Sequence, residues 1–194
     1  MGIINPAVPR LRKIAALLIC GALCACAGFP RVFKPADPLS ADEHFRLGSA
    51  YEAQGLPDDA AKQYQRAARL NPANPEVWLA LGNIQFKYGE YGRAEDDYLR
   101  VLNLSPFHAG AQNNLAMTYV ARHKKLKEAE HLAKAALRQK GPLQPYVLDT
   151  LAKIYEAERR FPEARAAAAQ AAAAQQETAA AERSITILPR PGSL

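Results

Sequence analysis

Cysteine is scarce in this chain and is confined to one short stretch. The three cysteines, Cys20, Cys24 and Cys26, lie within seven residues of one another. A disulfide framework needs cysteines spread across the fold, and a structural zinc ion needs a second group of ligands further along the chain. The sequence therefore excludes a disulfide-stabilised scaffold and a structural zinc site.

Aromatic residues and a strong charge imbalance are also lacking. Aromatic residues make up only 8% of the chain, and alanine becomes abundant toward the C-terminus, which favours close-packed helices over a sheet-based core. The formal net charge is +6, but Arg10, Arg12 and Lys13 lie near the N-terminus, and no acidic residue precedes Cys26. The rest of the chain interleaves 22 basic with 19 acidic residues. Nucleic-acid binding requires a concentrated basic stripe, so we expect no nucleic-acid partner.

Motifs that carry chemistry are missing as well. The sequence contains no GxSxG, HExxH, GxGxxG or Walker loop, and its four histidines are dispersed. The acidic pairs at 58–59 and 96–97 lie near the starts of predicted helices, where negative charge suits the helix dipole. We therefore expect no enzyme activity, no metal site, no cofactor and no small-molecule substrate.

The first 25 residues have the pattern of an export signal. Three basic residues precede an apolar run of twelve residues from Ile14 to Ala25, which ends in small side chains. A helix of that length spans roughly 18 Å, which is too short for roughly 30 Å of hydrocarbon. This order of a basic segment, an apolar segment and small residues predicts a signal peptide over residues 1–25.

The end of this segment, Leu23-Cys24-Ala25-Cys26, resembles the bacterial lipobox. The resemblance implies that Cys26 becomes the new N-terminus and carries covalent diacylglycerol and acyl chains such as palmitate. Two alternatives stay open, a secretory signal that is cleaved without lipidation and an uncleaved anchor. N-terminal myristoylation is not expected, because Pro6 stands where that signal needs Ser or Thr.

The residues after Cys26 bear on the destination of such a lipoprotein. In the enterobacterial pattern an Asp after the modified cysteine retains the protein in the inner membrane, whereas Ala27 and Gly28 follow here. The resemblance therefore implies a protein anchored by its lipid in the bacterial outer membrane and facing the periplasm. Residues 26–39 are rich in proline and predict a semi-rigid tether.

Four pairs of identical residues recur at the same interval of 34. The pairs are Gly48 and Gly82, Ala60 and Ala94, Tyr64 and Tyr98, and Pro72 and Pro106. The interval and the residue types resemble the tetratricopeptide repeat, which is a helical hairpin. Its pattern predicts units at about 41–74, 75–108, 109–144 and 145–178, the third with one residue inserted in its turn.

The resemblance implies an all-α fold, a right-handed α-solenoid of about four hairpins over residues 40–183. No single hairpin can bury its apolar face alone, so neighbouring hairpins stack. The alanine-rich segment 161–183 predicts a C-terminal capping helix, because alanine favours helix but offers little area to bury. Residues 184–194 predict a disordered tail, whose apolar stretch 185–188 could dock in the groove or in a partner.

In this architecture the first helix of each hairpin lines an inner groove. The phase of the repeat places a mixture of apolar and polar residues there, and we predict that this face binds a peptide or a protein. Glu52 lies on the same face. The predicted binding residues are Phe45, Ser49, Leu79, Asn83, Phe86, Asn113, Asn114, Met117, Tyr146 and Lys153.

Asn83 and Asn114 occupy the places at which chaperone-binding members of the family hold a peptide backbone. An asparagine amide both donates and accepts hydrogen bonds, so it binds an extended chain without reading its sequence. The Lys and Arg with which those members clamp a terminal carboxylate are absent, since Leu79, Tyr146 and Thr150 stand there. We therefore expect internal segments rather than C-termini; the alternative is that both asparagines are simply solvated.

Together these features predict a non-enzymatic scaffold that binds protein partners in the cell envelope and is held at the membrane by its lipid. By resemblance to small repeat lipoproteins, we expect it to recruit partners to a machine for pilus assembly, secretion or polysaccharide export. Two alternatives are a pilotin-like chaperone of an outer-membrane subunit and an accessory subunit of an envelope enzyme.

Overall fold

The computed structural model describes residues 37–186, with side chains described as far as Ala180. Within this range the chain forms eight helices and no strand, and none of these helices is long and apolar enough to span a bilayer. The predictions for the signal peptide, for Cys26, for most of the tether and for the end of the tail fall outside the described residues. The helices are α1 (Ala41–Ala53), α2 (Pro57–Leu70), α3 (Pro75–Lys87), α4 (Tyr91–Leu104), α5 (Ala109–Ala121), α6 (Leu126–Arg138), α7 (Gln144–Ala157) and α8 (Phe161–Thr186).

Consecutive helices pack against each other as four hairpins, α1–α2, α3–α4, α5–α6 and α7–α8. Successive hairpins are stacked through α2 on α3, α4 on α5 and α6 on α7. The first helices also meet one another, α3 on α5 and α5 on α7. The all-α solenoid of about four hairpins that the repeat predicts is therefore confirmed.

A capping box fixes the start of α1. The hydroxyl of Ser40 accepts a hydrogen bond from the backbone N–H of Glu43 at 3.3 Å. In return, the carboxylate of Glu43 accepts one from the backbone N–H of Ser40 at 2.8 Å. The spacing of these two residues predicts the motif. The backbone bond, followed by the side-chain bond from Ser40, holds the pKa of the Glu43 carboxyl below its ordinary value.

Left-handed backbone conformations close the turns within the hairpins. Gly55 and Gly89 both have φ of +74°, a conformation that glycine adopts without steric cost. The third hairpin instead has a four-residue turn between Ala121 and Leu126, against three residues in the other hairpins. This longer turn is the one-residue insertion predicted from the sequence, and Lys125 adopts φ of +51° at its end.

The eighth residues of the two helices in a hairpin set how closely the hairpin closes. In the first hairpin Gly48 faces Tyr64, and a Cβ added to the glycine would lie 2.6 Å from Cε1 of the ring. The second hairpin repeats this approach at Gly82 and Tyr98, again at 2.6 Å. A glycine is therefore paired with a tyrosine in these two hairpins. The equivalent places of the third hairpin hold two buried alanines, Ala116 and Ala133.

Two ion-pair clusters join neighbouring hairpins. Glu95 of α4 accepts a hydrogen bond from Lys125 Nζ at 2.9 Å and also contacts Arg122. One hairpin further on, Glu130 of α6 accepts a hydrogen bond from Arg160 Nη1 at 2.9 Å. Both carboxylates are largely shielded from solvent. These pairs are therefore screened less than ordinary surface ion pairs and stabilise the stacking of the hairpins.

The cations of these clusters also lie over tyrosine rings of their own hairpins. Nζ of Lys125 is 4.8 Å from the centre of the Tyr119 ring, and Cζ of Arg160 is 4.3 Å from the centre of the Tyr155 ring. Both distances are within the range of a cation–π contact. The third and fourth hairpins thus each contain a buried tyrosine that is covered by a basic residue of the following turn.

The last helix, α8, ends at Thr186, three residues beyond the predicted end of the solenoid. It packs on the core through Ala164, Ala167 and Ala171, which are all buried, and Ala174 is partly buried against the same cluster. The small side chains allow a close approach but bury little area. This end of the solenoid is therefore held by an alanine-rich helix with a largely exposed outer face.

Candidate functional site

A cavity of about 250 Å³ opens between the first helices of the first three hairpins. Four of the predicted binding residues line it together, namely Asn83, Phe86, Asn114 and Met117, and Glu52 of the same face joins them. Most of the lining comes from α1, α3 and α5, and α4 contributes one residue. We call it the Asn83 cavity, and its lining is Glu52, Asn83, Phe86, Lys87, Tyr98, Asn114 and Met117.

The two asparagines of the cavity are bonded to each other. The amide nitrogen of Asn114 donates to Oδ1 of Asn83 at 2.8 Å, and the hydroxyl of Tyr98 donates to the same oxygen at 2.9 Å. Both lone pairs of that oxygen are therefore used. The Asn83 amide N–H groups make no hydrogen bond within residues 37–186, and Oδ1 of Asn114 accepts only a long one of 3.4 Å from Asn113.

Tyr98 holds this arrangement from beneath. Its ring is 1% exposed and lies against Gly82, so that only the hydroxyl reaches the cavity. Burial raises the pKa of the Tyr98 hydroxyl above its ordinary value, and the nearby Asn114 side chain opposes this only in part. The hydroxyl therefore stays protonated at neutral pH and serves as a fixed donor to Asn83.

An ion pair marks the rim of the cavity. Nζ of Lys87 lies 3.5 Å from Oε1 of Glu52, which connects α3 to α1. The other carboxylate oxygen of Glu52 lies 3.0 Å from the hydroxyl of Tyr64. Lys87 and Tyr98 are absent from the predicted binding residues. The repeat shows that Tyr98 is equivalent to Tyr64, but it does not show that the hydroxyl of Tyr98 contacts Asn83. Nothing in the sequence identifies Lys87 as a residue of the cavity.

Two of the predicted groove residues lie at a neighbouring tyrosine rather than in the cavity. Phe45 packs on Tyr64 with 5.5 Å between the ring centres. Oγ of Ser49 lies 3.2 Å from the hydroxyl of Tyr64 and donates to the carbonyl of Phe45 at 3.1 Å. They extend the first-helix face along α1 without lining the Asn83 cavity.

The remaining predicted residues are dispersed along the solenoid and do not line the cavity. Leu79 is half-buried against the core, and Asn113 is engaged with Asn114. Tyr146 is 63% exposed at the start of α7. Lys153 forms an ion pair with Asp149 at 2.6 Å, one turn earlier on the same helix.

The described part of the chain contains no group of three or more His, Cys, Asp or Glu residues placed to hold a metal ion.

A family model described as tetratricopeptide repeat matches this chain twice, over residues 45–109 and 79–145. Together the two matches span just over half of the chain. They cover the first three hairpins, including every residue of the Asn83 cavity.

Curated relatives match part of this chain. The chain is 37% identical over 84 residues to protein O-mannosyl-transferase TMTC1 of Homo sapiens, which covers 43% of this chain and 10% of that protein. It is 27% identical over 110 residues to tetratricopeptide repeat-containing protein trd-1 of Caenorhabditis elegans, and this match covers 57% of this chain and 14% of that protein. The chain thus spans a small part of the length of either relative.

Solved structures share the fold at low sequence identity. The crystal structure of MamA superposes with a TM-score of 0.65 at 24% identity and covers 87% of this chain and 95% of that chain. The first TPR of Spaghetti (RPAP3), bound to the HSP90 peptide SRMEEVD, superposes with a TM-score of 0.58 at 24% identity and covers 63% of this chain and 96% of that chain. With the repeat, the stacked hairpins and the family match in agreement, the chain belongs to the tetratricopeptide repeat family.

Proposed function

We propose that this chain is a non-enzymatic scaffold that binds an extended segment of a partner protein at the Asn83 cavity. The observation that carries the proposal is the bonding of the two asparagines. Because Oδ1 of Asn83 is already occupied by two donors, the amide of Asn83 presents only N–H groups. The carbonyl of Asn114, with its one long contact, remains an acceptor.

A donor and an acceptor side by side are complementary to one peptide unit. A peptide carbonyl would accept from Nδ2 of Asn83, and a peptide N–H would donate to Oδ1 of Asn114. Phe86 and Met117 supply an apolar wall of the same cavity for a neighbouring side chain. Tyr98 adds rigidity, because its hydroxyl holds Asn83 in place before any ligand arrives.

The charge at the cavity favours an internal segment over a chain terminus. Lys87 is the only cation among the lining residues, and it is already paired with Glu52. A terminal carboxylate would compete with Glu52 for this single lysine. The structure of a related fold with a bound HSP90 peptide supports peptide binding in general, whereas the absence of a basic cluster at this cavity argues for a different kind of segment.

Replacing both asparagines should weaken partner binding. In Asn83→Ala/Asn114→Ala, two hydrogen bonds to the ligand are lost, and we expect about a tenfold loss of affinity or more. The measurement is the yield of a photo-crosslink from a benzophenone side chain at position 117 to envelope proteins, followed by mass spectrometry. Asn103→Ala, which changes an exposed asparagine of α4, is the matched control. Unchanged crosslinking in the double variant, with its helicity intact, would contradict the groove assignment.

The proposal also places the scaffold at the bacterial outer membrane, where it faces the periplasm and recruits partners to an envelope machine for pilus assembly, secretion or polysaccharide export. This part is supported by the sequence pattern around Cys26 and by the proline-rich tether over residues 26–39. A lipid at Cys26 would keep the groove within reach of membrane-bound partners, since linkage raises the local concentration of a binding site.

The anchor has its own test. Labelling cells with radioactive palmitate should give a labelled protein, and Cys26→Ser should abolish the label completely because the acceptor thiol is gone. Cys24→Ser, two residues earlier, is the matched control and should retain the label. Label that persists in Cys26→Ser would refute lipidation at this residue and would leave the groove assignment untouched.

A further inference from the structure

Gln85 of α3 stands where the other three hairpins have tyrosine. It is the eleventh residue of its helix, as Tyr51 is in α1 and Tyr119 in α5. In the third and fourth hairpins the tyrosine ring is buried and covered by a cation. The second hairpin has a shorter amide at this place, and a cavity of about 250 Å³ lies beside it.

This second cavity is separate from the Asn83 cavity. A helix turns by about 100° per residue, so that Trp78, Leu81 and Gln85 lie on the side of α3 opposite to the side that carries Asn83 and Lys87. The two cavities have no lining residue in common. We call the second one the Gln85 cavity, and its lining is Gln65, Trp78, Leu81, Gln85, Arg93, Asp96, Asp97 and Arg100.

The amide of Gln85 is only half satisfied. The residue is 8% exposed, and its Nε2 donates to Oδ2 of Asp97 at 2.9 Å. Its Oε1 is buried and has no hydrogen-bond partner. Reversing the amide would not help, because its oxygen would then face another acceptor, Oδ2 of Asp97, and its nitrogen would be buried without a partner. A buried carbonyl oxygen without a donor is uncommon in proteins and indicates a place for one.

The charges of the cavity suit a cation with several donors. Arg100 lies over Trp78, with Cζ 4.5 Å from the ring centre, and its Nη1 is 3.4 Å from Oδ1 of Asp97. Arg93 is paired with Glu90 outside the lining at 2.6 Å. Asp96 forms no ion pair within the described residues. The cavity therefore already accommodates the guanidinium of Arg100 beside Trp78. Oε1 of Gln85 and the carboxylate of Asp96 can still accept hydrogen bonds.

We propose that the Gln85 cavity binds the side chain of an arginine presented by a partner protein. The planar guanidinium of the ligand would replace that of Arg100 on the ring of Trp78. It would donate hydrogen bonds to Oε1 of Gln85 and to the carboxylates of Asp96 and Asp97. Arg93 and Arg100 are already paired with Glu90 and Asp97, so an anion would have to compete with a carboxylate for either of them.

The only tryptophan of the chain lines this cavity, so its fluorescence reports directly on occupancy. The full chain in detergent micelles would be titrated with the peptide acetyl-Gly-Arg-Gly-amide under selective excitation of tryptophan. We expect a saturable change with this peptide and none with its citrulline analogue, which has nearly the same shape without the charge. An equal response to citrulline would overturn the assignment of a guanidinium site. Equal binding of free L-arginine would overturn the assignment to a partner protein.

Two variants test whether the arginine binds in the Gln85 cavity and replaces Arg100 there. Gln85→Tyr restores the residue of the other hairpins, fills the cavity, and should weaken the peptide response at least tenfold while helicity is retained. Arg100→Ser removes the competing guanidinium and should tighten binding several-fold. Loss of binding in Arg100→Ser would contradict an exchange of guanidinium groups on Trp78, and an undiminished response in Gln85→Tyr would place the arginine elsewhere. Asn103→Ala, an exposed change outside the lining of both cavities, is the control and should leave the titration unchanged.

Discussion

Tyr98→Ala should lower the free energy of unfolding by about 3–5 kcal/mol, the range for removing a large aromatic side chain from a well-packed core. The ring is 1% exposed and is enclosed by the second hairpin on one side and the third on the other. Its removal would leave a cavity and would also free Oδ1 of Asn83 from one of its two donors. The loss would be measured by urea denaturation followed by circular dichroism.

Two further variants divide this loss into its parts. Tyr98→Phe keeps the ring and removes only the hydroxyl, so it should cost about 1 kcal/mol. Tyr88→Ala removes a ring that is 51% exposed and bonded to Asp58 at 2.7 Å, and it should cost about 1 kcal/mol or less. If Tyr88→Ala and Tyr98→Ala destabilised the chain equally, the proposed role of Tyr98 in the core would be wrong.

Gly82→Ala should destabilise the chain by about 1–2 kcal/mol, although alanine is the better helix former. Its new Cβ would lie 2.6 Å from Cε1 of Tyr98, and that ring cannot move aside because it is buried and bonded through its hydroxyl. Overpacking of this kind outweighs the gain in helix propensity. Gly92→Ala is the matched control, because nothing lies within 4 Å of its Cβ, and it should stabilise by up to about 1 kcal/mol.

The same change should reverse its sign when the ring is absent. In a Tyr98→Ala background, Gly82→Ala no longer meets a ring, so it should restore up to about 1 kcal/mol. The third hairpin already contains this combination, with Ala116 and Ala133 both buried at the equivalent places. A double-mutant cycle of the four proteins measures the coupling. Additive effects would show that Gly82 is required for another reason than its contact with Tyr98.

Much of the fold was predictable because it depends on side chains of the same size that recur every 34 residues. Gly48 and Gly82 could be recognised as close approaches, since each has a tyrosine at the same later place. The inserted residue of the third turn was predictable as well, because its alanines fit the pattern only with one extra residue. Such features are steric and local, and a single sequence records them directly.

The details of the candidate site were less accessible, because they depend on side-chain directions between hairpins. The sequence brings Asn83 and Asn114 to one face but does not show that they bond to each other, which requires the crossing of α3 and α5. Lys87 lies at the end of its helix, where a lysine is unremarkable without its contact to Glu52. Gln85 was visible only as a departure from the repeat, and the cavity beside it could be found only from the packed structure.

The eighth residue of the second helix is tyrosine in the first two hairpins and alanine in the third, so the groove differs along its length. In the first two hairpins the hydroxyls of Tyr64 and Tyr98 emerge among Ser49, Glu52 and Asn83, whereas the alanines of the third hairpin bring no polar atom there. A ligand lying along the first helices would therefore meet these tyrosine hydroxyls only at the first two of the three hairpins. A partner segment should therefore gain hydrogen bonds to tyrosine hydroxyls at the first two hairpins and none at the third.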